Sequence, residues 1–428
     1  MSLDLQKALE SSYLMPTFGR YAVEFVEGHG MTLVDDAGRE YRDFLAGIGV
    51  CSLGHGHPAV TAALVAQVEK LLHVSNYYHI EQRGQVAALL SKLANGDAEG
   101  AMLIADAIAA GDEASVVALG SPVDGERVWQ TFFANSGAEA NEGSMKLARL
   151  YAKRMGNGGN TIVCLRGGFH GRTLETVAAT MQDRLQDAFR PLPEGFVSCA
   201  PNDVDELRGL FDKLGREICA VMYEPIQGES GVHPLAQEFM EAARDLAHSR
   251  GALLIADEVQ TGIFRCGRPF AWQISGVEPD IMSLAKGIAG GVPMGACMAK
   301  AEVAAAFAPG DHGSTFGGSC LAAAAAASVL AELTRGAFDA HAAEVGEYMA
   351  ARLAALPYVV EVRGAGLMRG VDLDEAAGDA HDVVARALAA GAVINATGDH
   401  TLRFLPPLIC EREDVDYLFD VLADVLIG

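Results

Sequence analysis

Between Val128 and Ala299 the chain alternates short apolar runs with stretches of helical periodicity. The runs are Val128–Ala134, Thr161–Leu165, Phe196–Cys199, Ile218–Tyr223, Ala252–Ala256, Asp280–Ala285 and Gly295–Ala299. Short apolar runs bounded by turn signals read as buried strands. Helices are expected over Ala138–Tyr151, Val204–Leu214 and Phe239–Arg250. This alternation predicts an α/β fold with a mostly parallel sheet covered on both faces. Ligands of such sheets sit beyond the carboxyl ends of the strands. The residues that follow each run are therefore where chemistry is expected.

The flanks read differently. Leu3–Phe18 reads as a short helix and an arm, broken at Met15-Pro16. Ala22–Glu27, Thr32–Asp35 and Glu40–Phe44 alternate apolar and polar residues and predict a small antiparallel meander. Helices are expected over Pro58–His73 and near Gln82–Leu93. Residues 95–127 hold one apolar helical stretch, Ala101–Ala110, between acidic turns, and no catalytic pattern. A surface excursion or a subunit contact is expected there. From Asp311 onward a polar glycine-rich loop leads to an alanine-rich helix, then to an α+β tail. The expected domains are an N-terminal arm and meander (1–50) packing with the C-terminal domain, a large α/β domain (51–311, with 95–127 as an atypical insertion) and a small α+β domain (312–428).

The formal net charge of −24 disfavours nucleic acid and anionic membranes as partners. None of the eight cysteines forms a C-x-x-C pair, so zinc-ribbon and thioredoxin-like readings lack support. No stretch is apolar over a membrane-spanning length, and the N-terminus lacks the pattern of a signal peptide. A cytoplasmic enzyme is expected.

Two strand ends stand out. One carries Asp257-Glu258-Val259-Gln260, the other Lys286 in a glycine-rich turn. A lysine at a strand end is ordinarily a solvated terminus, and an aspartate there is ordinarily a cap. Together they match a lysine that condenses with an aldehyde and a counter-charge for a protonated ring nitrogen, the pair that pyridoxal phosphate needs. Ser136-Gly137-Ala138 joins a strand to a helix, and a helix N-terminus suits a phosphate. Arg172 and Arg403 are candidate carboxylate clamps, with a buried structural ion pair as the alternative for each. His55 and His57 lack a third ligand at metal-site spacing, so their loop is read as solvated or dimer-contacting, and no metal site is expected.

Taken in order, LGHGHP (53–58), NSGAEANE (135–142), FHGRT (169–173), EPIQGE (224–229), DEVQTG (257–262), the Lys286 turn, HGSTFGG (312–318) and LRFLPPL (402–408) resemble class III pyridoxal-phosphate aminotransferases of fold type I, of the ornithine and acetylornithine type. The resemblance covers nearly the whole chain. It implies that Lys286 bonds the cofactor and moves the proton, while Asp257 keeps the ring nitrogen protonated. Phe169 and Val259 are implied as ring walls, Gln260 as the contact of the phenolic oxygen, and Gly137 and Ala138 as the phosphate seat. Thr315 and Ser314 are implied to reach in from a partner subunit, so a homodimer is expected. Arg403 is implied to bind the carboxylate beside the reacting carbon, Glu229 to pair with Arg403 when an ω-amine is bound, and Arg172 to hold the distal carboxylate.

The implied reaction is ping-pong transfer of the δ-amino group of N2-acetylornithine to 2-oxoglutarate through pyridoxamine phosphate, giving N-acetylglutamate semialdehyde and glutamate in arginine biosynthesis. The alternatives are another ω-aminotransferase (of succinylornithine, N-succinyl-diaminopimelate, ornithine or 4-aminobutyrate), an aminomutase or decarboxylase on the same scaffold, and a cofactor-free binding protein. Ala138 departs from the Thr or Ser of many relatives, and Ser319 from a common Asn. Phe18 stands where ornithine-specific relatives carry a tyrosine, and its apolar ring favours an N-acylated substrate.

Overall fold

The computed structural model describes residues 3–123 and 125–427. Helix α1 (Leu3–Tyr13) leads to an antiparallel meander of β1 (Phe25–His29), β2 (Thr32–Asp35) and β3 (Glu40–Asp43). Helices α2 (Pro58–Lys70), α3 (Arg83–Ala94), α4 (Ala98–Ala110) and α5 (Glu113–Gly120) follow. Asp97 caps α4 by accepting from the Gly100 amide at 2.9 Å, and Gly111 ends it in the left-handed region.

The placement of α4 corrects the expectation of a surface excursion over 95–127. Its Ala101, Ile104, Ala105 and Ala107 are buried, and it packs against α3 and a long helix described below. Small apolar residues on one helical stripe let two helices approach closely, so this segment adds core. Helix α5 and the described residues of the turn after it are largely exposed, with Val116 the one buried residue of α5.

The central sheet contains β4 (Trp129–Ala134), β5 (Thr161–Leu165), β6 (Phe196–Cys199), β7 (Ile218–Tyr223), β10 (Leu253–Asp257), β11 (Ile281–Leu284) and β12 (Gly295–Lys300), in the order β4-β12-β11-β10-β7-β5-β6. Strand β12 is antiparallel to both of its neighbours, and the remaining pairings are parallel. Between β7 and β10 a two-stranded hairpin, β8 (Ile226–Gln227) with β9 (His233–Pro234), carries Glu229 in its loop. Helices α6 (Gly137–Arg154) and α8 (Gln237–Ser249) pack against the sheet, and α7 (Val204–Leu214) packs against α8. Adjacent parallel strands β10 and β11 bring Asp257 and Lys286 to one crevice.

Helix α9 (Cys320–Arg335) buries nearly its whole circumference against α2, α3 and α4. This helix follows the boundary expected at 312, yet it packs with helices expected in the large domain. Helix α10 (Phe338–Ala354) is bent from α9 by 68°. It leads to a second sheet, ordered β13 (Val359–Ala365), β14 (Met368–Leu373), β17 (Thr401–Phe404), β16 (Asn395–Ala396), and to helices α11 (Ala380–Ala390) and α12 (Arg412–Ile427). Strand β15 (Ala392–Val393) belongs instead to the N-terminal sheet, pairing in parallel with β3 and joining the meander to the tail. Among the described residues no single helix is long and apolar enough to cross a membrane.

Candidate active site

A cavity of about 300 Å³ opens beyond the carboxyl ends of β10 and β11. Asp257, the last residue of β10, is 3% exposed. Its Oδ2 accepts from Asn141 Nδ2 and lies against His170 Nδ1, both at 2.7 Å, and its Oδ1 accepts from the Val259 amide at 3.0 Å. These partners fix the carboxylate before any ligand arrives. Burial lowers the His170 pKa, but the hydrogen bond and charge of Asp257 outweigh it and leave it raised.

Lys286 lines the same cavity at the end of β11, with φ +44°. A lysine in the left-handed region is held there by its surroundings. Burial is the main cause of its lowered pKa, and the Arg403 charge adds to it, while Glu229 and Asp257 oppose. A lysine so placed reaches the neutral, nucleophilic form more readily than an exposed one.

Ser136 caps α6 by accepting from the Glu139 amide at 3.2 Å. Gly137 and Ala138, in the first turn, line the cavity. First-turn amides have no intrahelical acceptor, so this end can receive a phosphate without a side-chain donor from Ala138. Gly137 is required by packing: a Cβ there would sit 2.8 Å from Val259 Cγ1. Val259 and Phe169 are also in the lining.

Glu229, Gln260 and Arg403 form a hydrogen-bonded group beside Lys286. Arg403, 1% exposed on β17, donates from Nη1 to Glu229 Oε1 at 2.6 Å, and from Nε and Nη2 to Asn395 Oδ1 at 3.1 and 2.8 Å. Gln260 donates to Glu229 at 3.2 Å and accepts from Arg403 at 3.3 Å. Burial pushes the Glu229 carboxyl up, but Arg403 more than compensates and its pKa is lowered. Glu258 is structural: it is 1% exposed and accepts from the Ala271 and Trp272 amides at 3.0 and 2.8 Å.

The remaining expected residues lie outside this cavity. Arg172 is exposed, with its guanidinium 5.5 Å from the Phe169 ring centroid. Thr315 is exposed, and Phe18 is 74% exposed. Ser314 accepts from Asn135 Nδ2 at 3.1 Å, which ties the 312–318 loop to the start of α6. Sequence reasoning missed Asn141, His170 and Glu224 as site residues, although all three lie within the motifs quoted. Asn141 follows Gly137 by four positions and so shares its helix face. Glu224 is buried, accepts from the Phe169 amide at 2.9 Å, and is pushed up to about 7 chiefly by burial. His55 is an ion-pair partner of Asp43 at 2.8 Å.

The residues present fit pyridoxal phosphate. A buried carboxylate, a partly buried lysine and a helix N-terminus converge on one cavity of suitable size. Near the carboxylate, His170 Nε2 and Asn141 Oδ1 have no hydrogen-bond partner among the described residues.

Residues 17–426 match the family described as Aminotransferase class-III. An acetylornithine aminotransferase of Methanocaldococcus jannaschii is 41% identical over 97% of this chain and 96% of its own length. One of Aquifex aeolicus is 40% identical over 97% of this chain and 100% of its own length. Among solved structures, the ornithine aminotransferase of Toxoplasma gondii ME49 superposes with a TM-score of 0.86 at 29% identity, covering 100% of this chain and 95% of that one. With the match spanning both sheets and the crevice between Asp257 and Lys286, the chain belongs to the class III aminotransferases.

Proposed function

We propose that this enzyme transfers the δ-amino group of N2-acetylornithine to 2-oxoglutarate in arginine biosynthesis, using pyridoxal phosphate. The observation that carries the reading is the Glu229–Arg403 pair beside Lys286. Relatives at about 40% identity that bear the acetylornithine aminotransferase name support the choice of donor.

Pyridoxal phosphate, when bound, supplies an aldehyde and a ring that withdraws electrons from the carbon losing its proton. The chain supplies the rest. Gly137 and Ala138 would hold the phosphate at the α6 N-terminus. Asp257, fixed by Asn141 and His170, would keep a proton on the ring nitrogen. Phe169 and Val259 would hold the ring faces, and Gln260 would contact the phenolic oxygen. Lys286 Nζ would take the proton from the reacting carbon of the donor and deliver it to the cofactor carbon.

Two substrates use one pocket in turn. An ω-amine brings no carboxylate beside its reacting carbon, and Glu229 then satisfies the buried Arg403. Glutamate and 2-oxoglutarate bring one, and Arg403 would bind it once Glu229 moves aside. Arg172, above Phe169, would hold the distal carboxylate, and Phe18 would face the acyl group.

The enzyme acts as a homodimer in this reading, with Thr315 and Ser314 completing the partner's site. Exposed Leu71, Leu72, Tyr77 and Tyr78 adjoin the 312–318 loop, where Asn76 donates to the Ser314 carbonyl at 2.7 Å. Exposed apolar groups in one region favour association. A cytoplasmic setting is supported by eight free cysteines.

An amino-donor panel with 2-oxoglutarate as acceptor tests the reading. Acetylornithine is expected to give the highest kcat/KM. Preference for ornithine or 4-aminobutyrate would overturn the substrate assignment.

A further inference from the structure

A second cavity, of about 690 Å³, lies where the end of α3 and helix α4 meet the loop after Gln260 and the α9–α10 bend. Its walls include Leu93, Met102, Phe264 and Trp272. Four polar features in the same lining have groups to spare. Trp272 is 8% exposed, and its buried indole N–H has no acceptor among the described residues. Asn95 donates to the Arg127 carbonyl at 2.6 Å, but its buried Oδ1 has no donor among the described residues. Arg268 and Asp339 line the cavity without a mutual ion pair, whereas Arg127 and Glu278 pair with each other.

This set offers a cation with an N–H donor, an anion with a carbonyl acceptor, and an apolar wall. We propose that the cavity is a binding site for a free α-amino acid with an apolar side chain. Its carboxylate would be taken by Arg268 and the Trp272 indole, its ammonium by Asp339 and Asn95, and its side chain by Phe264, Met102 and Leu93. Charge-assisted hydrogen bonds of both signs make the zwitterion a better fit than either charge alone. The site is joined to the catalytic crevice, because the Trp272 amide donates to Glu258, the neighbour of Asp257.

The test uses L-phenylalanine as the probe and the full-length holoenzyme labelled with 5-fluorotryptophan. The chain has two tryptophans, Trp129 and Trp272, so two fluorine resonances are expected. Trp272→Phe identifies the second. L-Phenylalanine should shift the Trp272 resonance saturably. Arg268→Ala, at an exposed position, should weaken that affinity at least about tenfold, the loss expected for one charge-assisted contact. 3-Phenylpropionate and 2-phenylethylamine, which each lack one charge, should bind at least about tenfold more weakly. No saturable shift with L-phenylalanine, an unchanged affinity in Arg268→Ala, or equal binding of the two singly charged analogues would each overturn the proposal.

Discussion

Glu229 Oε1 lies 2.6 Å from Nη1 of Arg403, a residue that is 1% exposed and comes from a different sheet. Removing one partner of a buried ion pair leaves the other uncompensated. Glu229→Ala should therefore slow the acetylornithine half-reaction about 10- to 100-fold more than the glutamate half-reaction. Single-turnover absorbance changes with each substrate separate the two. Equal losses would remove the gating role.

Lys286→Ala should lower the transamination rate by at least about 10³-fold, within the range for loss of a positioned acid–base group. Circular dichroism and size-exclusion profiles should match those of the unaltered enzyme, because the Lys286 side chain faces a cavity. A variant retaining a tenth of the activity would show that the proton is carried elsewhere.

Gly137→Ala places a methyl 2.8 Å from Val259 Cγ1, closer than packed carbons approach. Cofactor affinity should fall about tenfold or more, measured by titrating the apoenzyme with pyridoxal phosphate. Val259→Ala in the same chain should recover part of that loss. Failure of the double variant to improve on Gly137→Ala would place the defect in the backbone of α6.

The His55–Asp43 pair predicts a pH dependence of stability. The hydrogen bond to Asp43 raises the His55 pKa from 6.5 to about 9, with Cys51 assisting and burial opposing. A raised folded-state pKa stabilises the fold fully below about pH 6.5, and the contribution is lost as pH rises through about 9. His55→Gln should thus cost about 3 kcal/mol near pH 6 and little above pH 9. Urea unfolding at both values measures the difference, and a cost independent of pH would count against the charged pair.

Ile104→Ala on α4 should destabilise the protein by about 2–5 kcal/mol, as for a fully buried aliphatic side chain. Val117→Ala on α5, 67% exposed, should stay within about 0.5 kcal/mol. Comparable urea midpoints for the two variants would restore the surface reading of this segment.

The sheet strands were legible to within about two residues because strands covered on both faces are short, mostly apolar runs. The meander was less so: its first strand was expected over Ala22–Glu27 and lies at Phe25–His29, because Gly28 pairs with Leu33 despite its turn character. Segment 95–127 misled because its buried stripe is mostly alanine, which carries a weak apolar signal and gains its meaning only against the alanines of α9. Of the site, the Asp257–Lys286 pair could be read from strand ends alone. The roles of Val259, Gln260, Glu229 and Arg403 came from resemblance, and all four occur around one crevice. Phe18, Arg172 and Thr315 stand outside it in the isolated chain. Asn141 and His170 escaped notice because a single polar residue in a helix turn or a glycine-rich loop has no periodicity to mark it.

The parallel pairing of β3 with β15 sets an order of events during synthesis. Arg39 hydrogen-bonds to the Ala389 carbonyl, 350 residues further along. At ribosomal speeds of about 5–20 residues per second, that partner emerges roughly 20–70 s after the meander. For that interval the edge of β3 is an unpaired strand on a nascent chain, open to other strands and to chaperones. The first strands to leave the ribosome are thus among the last to be completed.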